Sequence, residues 1–285
     1  MNSSAMKSNR LILAFLVLPV ILSSCRKEAP SPAYIVVEPD WSACEGVVSE
    51  DGYSPWTVKI GDDYTAYAVG RVYKSDAVFA SGDYAVSVMA GEPWLTASDR
   101  VISQMVVDAP TIFPEPWLEA QRDAFYYGQS DATVTDKGGR VSVPTQQYNR
   151  RLEVMFKSVG GEVCDYRLSY AFLSQVYSRL DINTGEYSEP VAQRLIVTGI
   201  NFDLGPYVYD LGSYILGMPP GDKTILWDFS IKDPDSGLWY SGTVEDTIDA
   251  SLFEGFNDGN KAEPFLLVRT IEIHPGSDGN EITIR

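Results

Sequence analysis

Histidine is almost missing from this chain of 285 residues, His274 being the only one. A metalloprotease histidine pair, a Cys2His2 site and multi-histidine zinc sites are therefore excluded. A Ser-His-Asp site would depend wholly on His274, which ends the predicted strand Ile271-Glu272-Ile273-His274 before Pro275, and no G-x-S-x-G elbow accompanies it. Neither a Walker A loop nor G-x-G-x-x-G occurs, so no nucleotide cofactor is implied, and the chain is expected to have no enzymatic activity and no cofactor. Basic residues are also scarce, 22 Lys and Arg against 39 Asp and Glu for a formal charge of −17. Such a surface repels phosphates and disfavours a nucleic-acid partner. Runs of Ala, Leu, Glu and Lys at helical spacing are absent, whereas 17 Tyr, 11 Phe and 6 Trp give a β-rich composition. Only one apolar run is long, Leu11 to Leu22, and its twelve residues fall short of the about 20 that span a bilayer.

That run has the parts that export needs. Lys7 and Arg10 precede it, small Ser23 and Ser24 follow it, and Leu22-Ser23-Ser24-Cys25 matches the site where bacterial lipoproteins are lipidated and cut. Residues 1–24 are expected to be a lipoprotein signal peptide cut after Ser24. Cys25 would carry the acyl chains that hold the protein to membrane lipid, and residues 25–32, with Pro30 and Pro32, would form a short tether. Removal of residues 1–24 takes away Lys7 and Arg10 and no carboxylate, so the formal charge falls to −19. The expected location is the outer membrane, on its periplasmic or cell-surface face. Cys44 and Cys164 are the other thiols, and an oxidising compartment would let them pair and staple two domains together.

From Ala33 onward, short alternating segments recur between turn residues, the pattern of antiparallel sheets with one face on a core. Tyr84, Val86 and Val88 share one strand face, as do Leu152, Val154 and Phe156, and Ile225, Trp227, Phe229 and Ile231. Turns are marked by Ser81-Gly82-Asp83, Lys137-Gly138-Gly139, Asn183-Thr184-Gly185, Asp235-Ser236-Gly237 and Ser277-Asp278-Gly279-Asn280. The spacing predicts sandwiches or barrels, with domains over residues 33–146 and 147–285. One helix is predicted, Pro116 to Tyr127, with proline in its first turn and Gly128 after its end. The last strand, Glu281 to Arg285, is assigned to its own domain because local pairing has no association cost.

The acidic stretch Asp181-Ile182-Asn183-Thr184-Gly185-Glu186 lacks the later bidentate glutamate of a calcium loop and reads as a tight turn. Tyr126-Tyr127, Tyr207-Val208-Tyr209 and Trp239-Tyr240 are aromatic clusters that could face sugar rings if exposed. A carbohydrate-binding accessory lipoprotein using Trp239 and Tyr240 is the alternative role.

Several segments together resemble the Bacteroidales fimbrillin-type lipoproteins, the anchor and accessory subunits of fimbriae and their relatives. They are Glu38-Pro39-Asp40-Trp41, Ser81-Gly82-Asp83-Tyr84, Asp123-Ala124-Phe125-Tyr126-Tyr127-Gly128 and Ala171-Phe172-Leu173-Ser174-Gln175-Val176 followed by Asp181-Ile182-Asn183-Thr184-Gly185. The resemblance implies two tandem transthyretin-like, Greek-key β-sandwich domains and a structural or anchoring role among fimbrial subunit proteins. Its subunits associate by β-strand addition, in which main-chain hydrogen bonds give affinity and alternate side chains give specificity. Tyr34, Ile35, Val36 and Val37 would be the strand-exchange edge. The processing protease of such fimbriae cuts after arginine, and no arginine occurs between Arg26 and Arg71, which implies an unprocessed subunit.

Overall fold

The computed structural model describes residues 33–44, 48–49, 52–53, 55–107, 116–159, 166–200, 208–232, 239–274 and 281–284. Among them the regular structure is strand apart from one 3-10 turn, Ala250–Phe253. In the first half the strands are β1 Ile35–Asp40, β2 Val48–Ser49, β3 Gly52–Tyr53, β4 Trp56–Ile60, β5 Tyr64–Ala68, β6 Tyr73–Lys74, β7 Gly82–Gly91, β8 Leu95–Ser98, β9 Val101–Gln104, β10 Val106–Val107, β11 Trp117–Leu118, β12 Phe125–Val134, β13 Gly139–Pro144 and β14 Gln146–Gln147. The second half supplies β15 Arg150–Val159, β16 Tyr166–Asp181, β17 Glu186–Ile200, β18 Val208–Ile215, β19 Lys223–Lys232, β20 Trp239–Ile248, β21 Phe265–His274 and β22 Glu281–Ile284.

Period-2 alternation builds the N-terminal sandwich. Val86 and Val88 of β7, Trp56, Val58 and Ile60 of β4, and Ala132 and Val134 of β12 point inward from a five-stranded sheet of order β14-β12-β7-β4-β5. They meet Ile35 and Val37 of β1 and Val141 and Val143 of β13, which belong to a three-stranded sheet of order β13-β1-β6. The C-terminal sandwich repeats the plan with the strand order β20-β19-β16-β17-β18-β15-β21-β22. Here β17 pairs with β16 up to Leu195 and with β18 from Ile196, so one strand passes between the two layers. The core between them holds Leu152, Val154, Leu173, Val176, Leu211, Ile225 and Trp227. Most pairings are antiparallel, and three are parallel: β1 with β13, β15 with β21, and β11 with β17. β22 pairs antiparallel with β21 inside its own sandwich.

The helix predicted over Pro116 to Tyr127 does not form. Trp117 and Leu118 make β11 against β17, and Phe125 opens β12. The reason is burial on two faces: Tyr126 enters the N-terminal core, while Phe125 and Tyr127 turn the other way into a third cluster with Leu95, Ile102, Leu180 and Leu216. Alternation between two cores suits a strand and is incompatible with one apolar helix stripe. That third cluster joins the sandwiches. β8 and β9 reach across to it, and β9 pairs with β16 at Ser103 and Arg179. A buried polar chain runs alongside. Asn149, fully buried, accepts from the Phe125 amide (2.7 Å) and donates to Gln121 Oε1 (2.8 Å). The Gln121 backbone amide donates to Ser213 Oγ (2.9 Å), which also accepts from Gln193 Nε2 (2.6 Å).

Residues 249–264 wrap the guanidinium of Arg150, which donates to the carbonyls of Glu263, Gly255 and Phe256. Nearby, the Lys261 amine is buried with no hydrogen-bond partner. Burial, with the Arg150 charge adding to it, pushes its pKa from 10.5 down to about 8. Below about pH 8 the amine is charged in both the folded and unfolded states, and the fold carries the full penalty. Between about 8 and 10.5 only the unfolded chain keeps the proton, so the penalty is relieved as pH rises. Lys261→Met is expected to raise the melting temperature at pH 7 and to lose that advantage towards pH 10. Thermal denaturation at both pH values checks it, and a gain that grows with pH would contradict the assignment.

Candidate functional site

The first sheet holds the strand singled out in the sequence. β1 starts beside Ala33, whose amide and carbonyl bond those of Phe79 (3.0 and 2.8 Å). Ile35 and Val37 lie on one face and are fully buried, Val36 is half-buried, and Tyr34 is exposed with the Lys74 ammonium 4.5 Å above its ring. Beta-branched residues at alternate positions explain this placement, since they fill a pleated surface without rotamer loss.

Tyr34 to Val37 is not a free edge. β1 is the central strand of its sheet, parallel to β13 over Ile35 to Asp40 and antiparallel to β6 at Val36 and Val37. Side chains add to the ladder. Ser75 Oγ accepts from the Ile35 amide (3.0 Å), and the carbonyl of Asp40 accepts from both the amide and the hydroxyl of Thr145 (3.1 and 2.6 Å). On the outer face Arg140 pairs with Glu38, and its hydrogen bond holds the Glu38 carboxyl below its ordinary pKa. The backbone amide of Ser42 does the same for Asp40. The cradle is thus a slot between β6 and β13 that the chain fills with its own strand. Sequence reasoning found the strand and missed the slot, because Ser75, Thr145 and β13 lie far from it along the chain.

Cys44 is a free, buried thiol past the end of β1, its Sγ 3.5 Å from Thr145 Oγ1, and desolvation raises its pKa. Cys164, its expected partner, lies outside the described residues, as do Ser24, Cys25 and Tyr207. The aromatic clusters separate: Tyr126 and Tyr127 are core residues, at 6% and 3% exposure. By register, Trp239 pairs with Lys232, Tyr209 with Ile200 and His274 with Glu281, so their backbones sit at one end of the C-terminal sandwich. Asp181 closes the β16–β17 turn by accepting from the amides of Asn183 and Thr184, with Gly185 at φ 72°. Among the described residues no cluster of three or more His, Cys, Asp or Glu could hold a metal ion. No helix there is long and apolar enough to cross a membrane.

No protein-family model and no curated protein matches the chain. Solved structures do. A candidate adhesin from Bacteroides ovatus ATCC 8483 is similar over 98% of this chain and 95% of its own, with a TM-score of 0.51 and 11% identity. This likeness shows a shared fold, the β-sandwich architecture seen in Bacteroidales proteins of this kind. A second candidate adhesin from Bacteroides ovatus covers 91% of this chain and 95% of its own, at a TM-score of 0.44 and 11% identity. The fimbrial anchor protein of Porphyromonas gingivalis covers 90% and 97%, at 0.42 and 11%.

Proposed function

We propose that this chain is a lipid-anchored accessory or anchoring subunit of a fimbria-like surface assembly whose subunits join by β-strand addition, and that it ends the assembly because its own β1 slot is filled. The observation that carries the reading is the seated β1. With Ile35 and Val37 fully buried between β6 and β13, the slot is closed to a strand from another subunit. Such a subunit ends an assembly and does not extend it. The lack of arginine between Arg26 and Arg71 agrees, because an arginine-directed protease has no site at which to free β1.

The anchor, on this reading, implies an orientation. Ala33 is eight residues beyond Cys25, and eight residues reach at most about 28 Å. β1 enters the fold at Ala33, and its other end, Asp40, is bonded to Thr145 near the junction with the second sandwich. The N-terminal sandwich therefore sits next to the lipid and holds the C-terminal sandwich outward. Cys25→Ala should move the protein from the membrane fraction to the soluble fraction of cell lysates. Persistent membrane association of that variant would overturn the anchor.

A further inference from the structure

A cavity of about 250 Å³ opens at the junction of the sandwiches, and its chemistry is independent of the anchoring role. Its walls include Arg100 from the β8–β9 turn, Tyr127 and Gln129 of β12, Gln146, Tyr148, and Ile182 from the β16–β17 turn. The floor at Gly128 has no side chain, and a Cβ there would lie 2.2 Å from the Pro144 carbonyl oxygen. The backbone must therefore approach closely for the cavity to exist.

Arg100 is the unusual member. The β8–β9 hairpin turns on Asp99 and Arg100, both with positive φ, 50° and 63°. Asn-Gly is the pair that such a turn favours, and arginine adopts this backbone at a cost glycine avoids. An outlier of this kind at a cavity mouth points to a use for the side chain. The guanidinium donates to Asn183 Oδ1 (3.2 Å), a neutral acceptor, and among the described residues no carboxylate is paired with it. Arg100 is exposed, so its guanidinium is open to a ligand from solvent. Its planar fork matches a carboxylate in two parallel hydrogen bonds.

The remaining walls suit a sugar ring. Tyr127 and Tyr148 meet edge to face with centroids 6.2 Å apart, and the Tyr127 hydroxyl donates to Gln129 Oε1 (2.7 Å). Tyr127 is core and backs Tyr148, whose half-buried ring can cover the C–H side of a pyranose, while the glutamine amides can bond its hydroxyls. The volume lies just below the about 300 to 1,000 Å³ of drug-sized sites, which fits one ring. We propose that this cavity binds a uronic acid, with the carboxylate on Arg100 and the ring against the half-buried Tyr148. Asp99, adjacent and exposed, opposes the ligand charge and keeps the affinity on the order of millimolar.

The test is a calorimetric titration of the full chain in detergent solution with D-galacturonate, D-glucuronate, neutral glucose and acetate. Uronates should bind at least tenfold more tightly than glucose or acetate. Arg100→Gly relieves the turn and removes the fork, so its urea midpoint should hold or rise while uronate affinity falls at least tenfold. Arg100→Lys should keep part of the binding. A trigalacturonate tighter than the monomer identifies a polysaccharide end as the source, and equal affinity identifies the free acid. Binding of glucose as strong as that of uronate, acetate equal to uronate, or unchanged binding by Arg100→Gly would overturn the assignment.

Discussion

Val37→Asp should cost about 5 kcal/mol and unfold the N-terminal sandwich at room temperature. The wild-type valine is fully buried in the centre of the three-stranded sheet. Its removal forfeits about 1.5 to 3 kcal/mol of burial, and a carboxylate placed in the same apolar pocket adds several more. A domain with a stability of about 5 to 15 kcal/mol tolerates little of that. The core cluster that holds Val37, with Ile35, Val58, Val88 and Val143 among its members, offers no cation. Urea unfolding followed by tryptophan fluorescence, which reports on Trp41 and Trp56 in this core, should show the first sandwich lost. Limited trypsin digestion should then cut at Arg140, whose side chain is already exposed but whose backbone is held in β13 of the folded sheet. Retention of wild-type stability within about 1 kcal/mol would mean that β1 does not fill the slot, and the accessory-subunit reading would fall with it. A substitution at the half-buried Val36 on the opposite face of the same strand should cost far less.

Asn149→Ala is the second large effect, with an expected cost of about 3 kcal/mol. The alanine leaves the Phe125 amide, Gln121 Oε1 and the Asp123 carbonyl without their partner, all beside a residue with no solvent exposure. A buried polar group stripped of its hydrogen bond costs about 1 to 3 kcal/mol, and water entering the space recovers part of it. Because Asn149 fixes the side chain of Gln121, whose backbone amide donates to Ser213 of the second sandwich, the loss should also loosen the junction. The urea midpoint measures the first effect. A double-mutant cycle with Gln121→Ala measures the second, and additive losses would show that the two side chains act separately. A cost below about 1 kcal/mol would show that the polar chain is not what ties the sandwiches together.

These two positions mark what could and could not be read in advance. Ile35 and Val37 were legible as a strand face, because beta-branched residues at alternate positions report a pleat whatever lies opposite. Val86, Val88, Leu152, Val154, Ile225 and Trp227 were equally legible and are all fully buried. Asn149 was not legible, since a polar residue before an alternating strand looks like loop, and only the arrival of Phe125, Gln121 and Asp123 makes it core. The Pro116 to Tyr127 segment failed for a related reason. Its aromatics serve two cores on opposite faces, and a single sequence cannot count cores.

Local chemistry therefore determined the fold class by itself, short alternating strands in a β-rich acidic body. Alternation and turn residues act over a few positions, so they survive in the linear record. Tertiary structure alone decided that β1 is enclosed by β6 and β13, that β9 joins the second sandwich's sheet, and that Arg100 stands at a cavity beside Tyr127 and Tyr148. Those outcomes depend on backbone partners far away in the chain, up to 105 residues for Asp40 and Thr145. Only folding brings such groups within hydrogen-bonding distance.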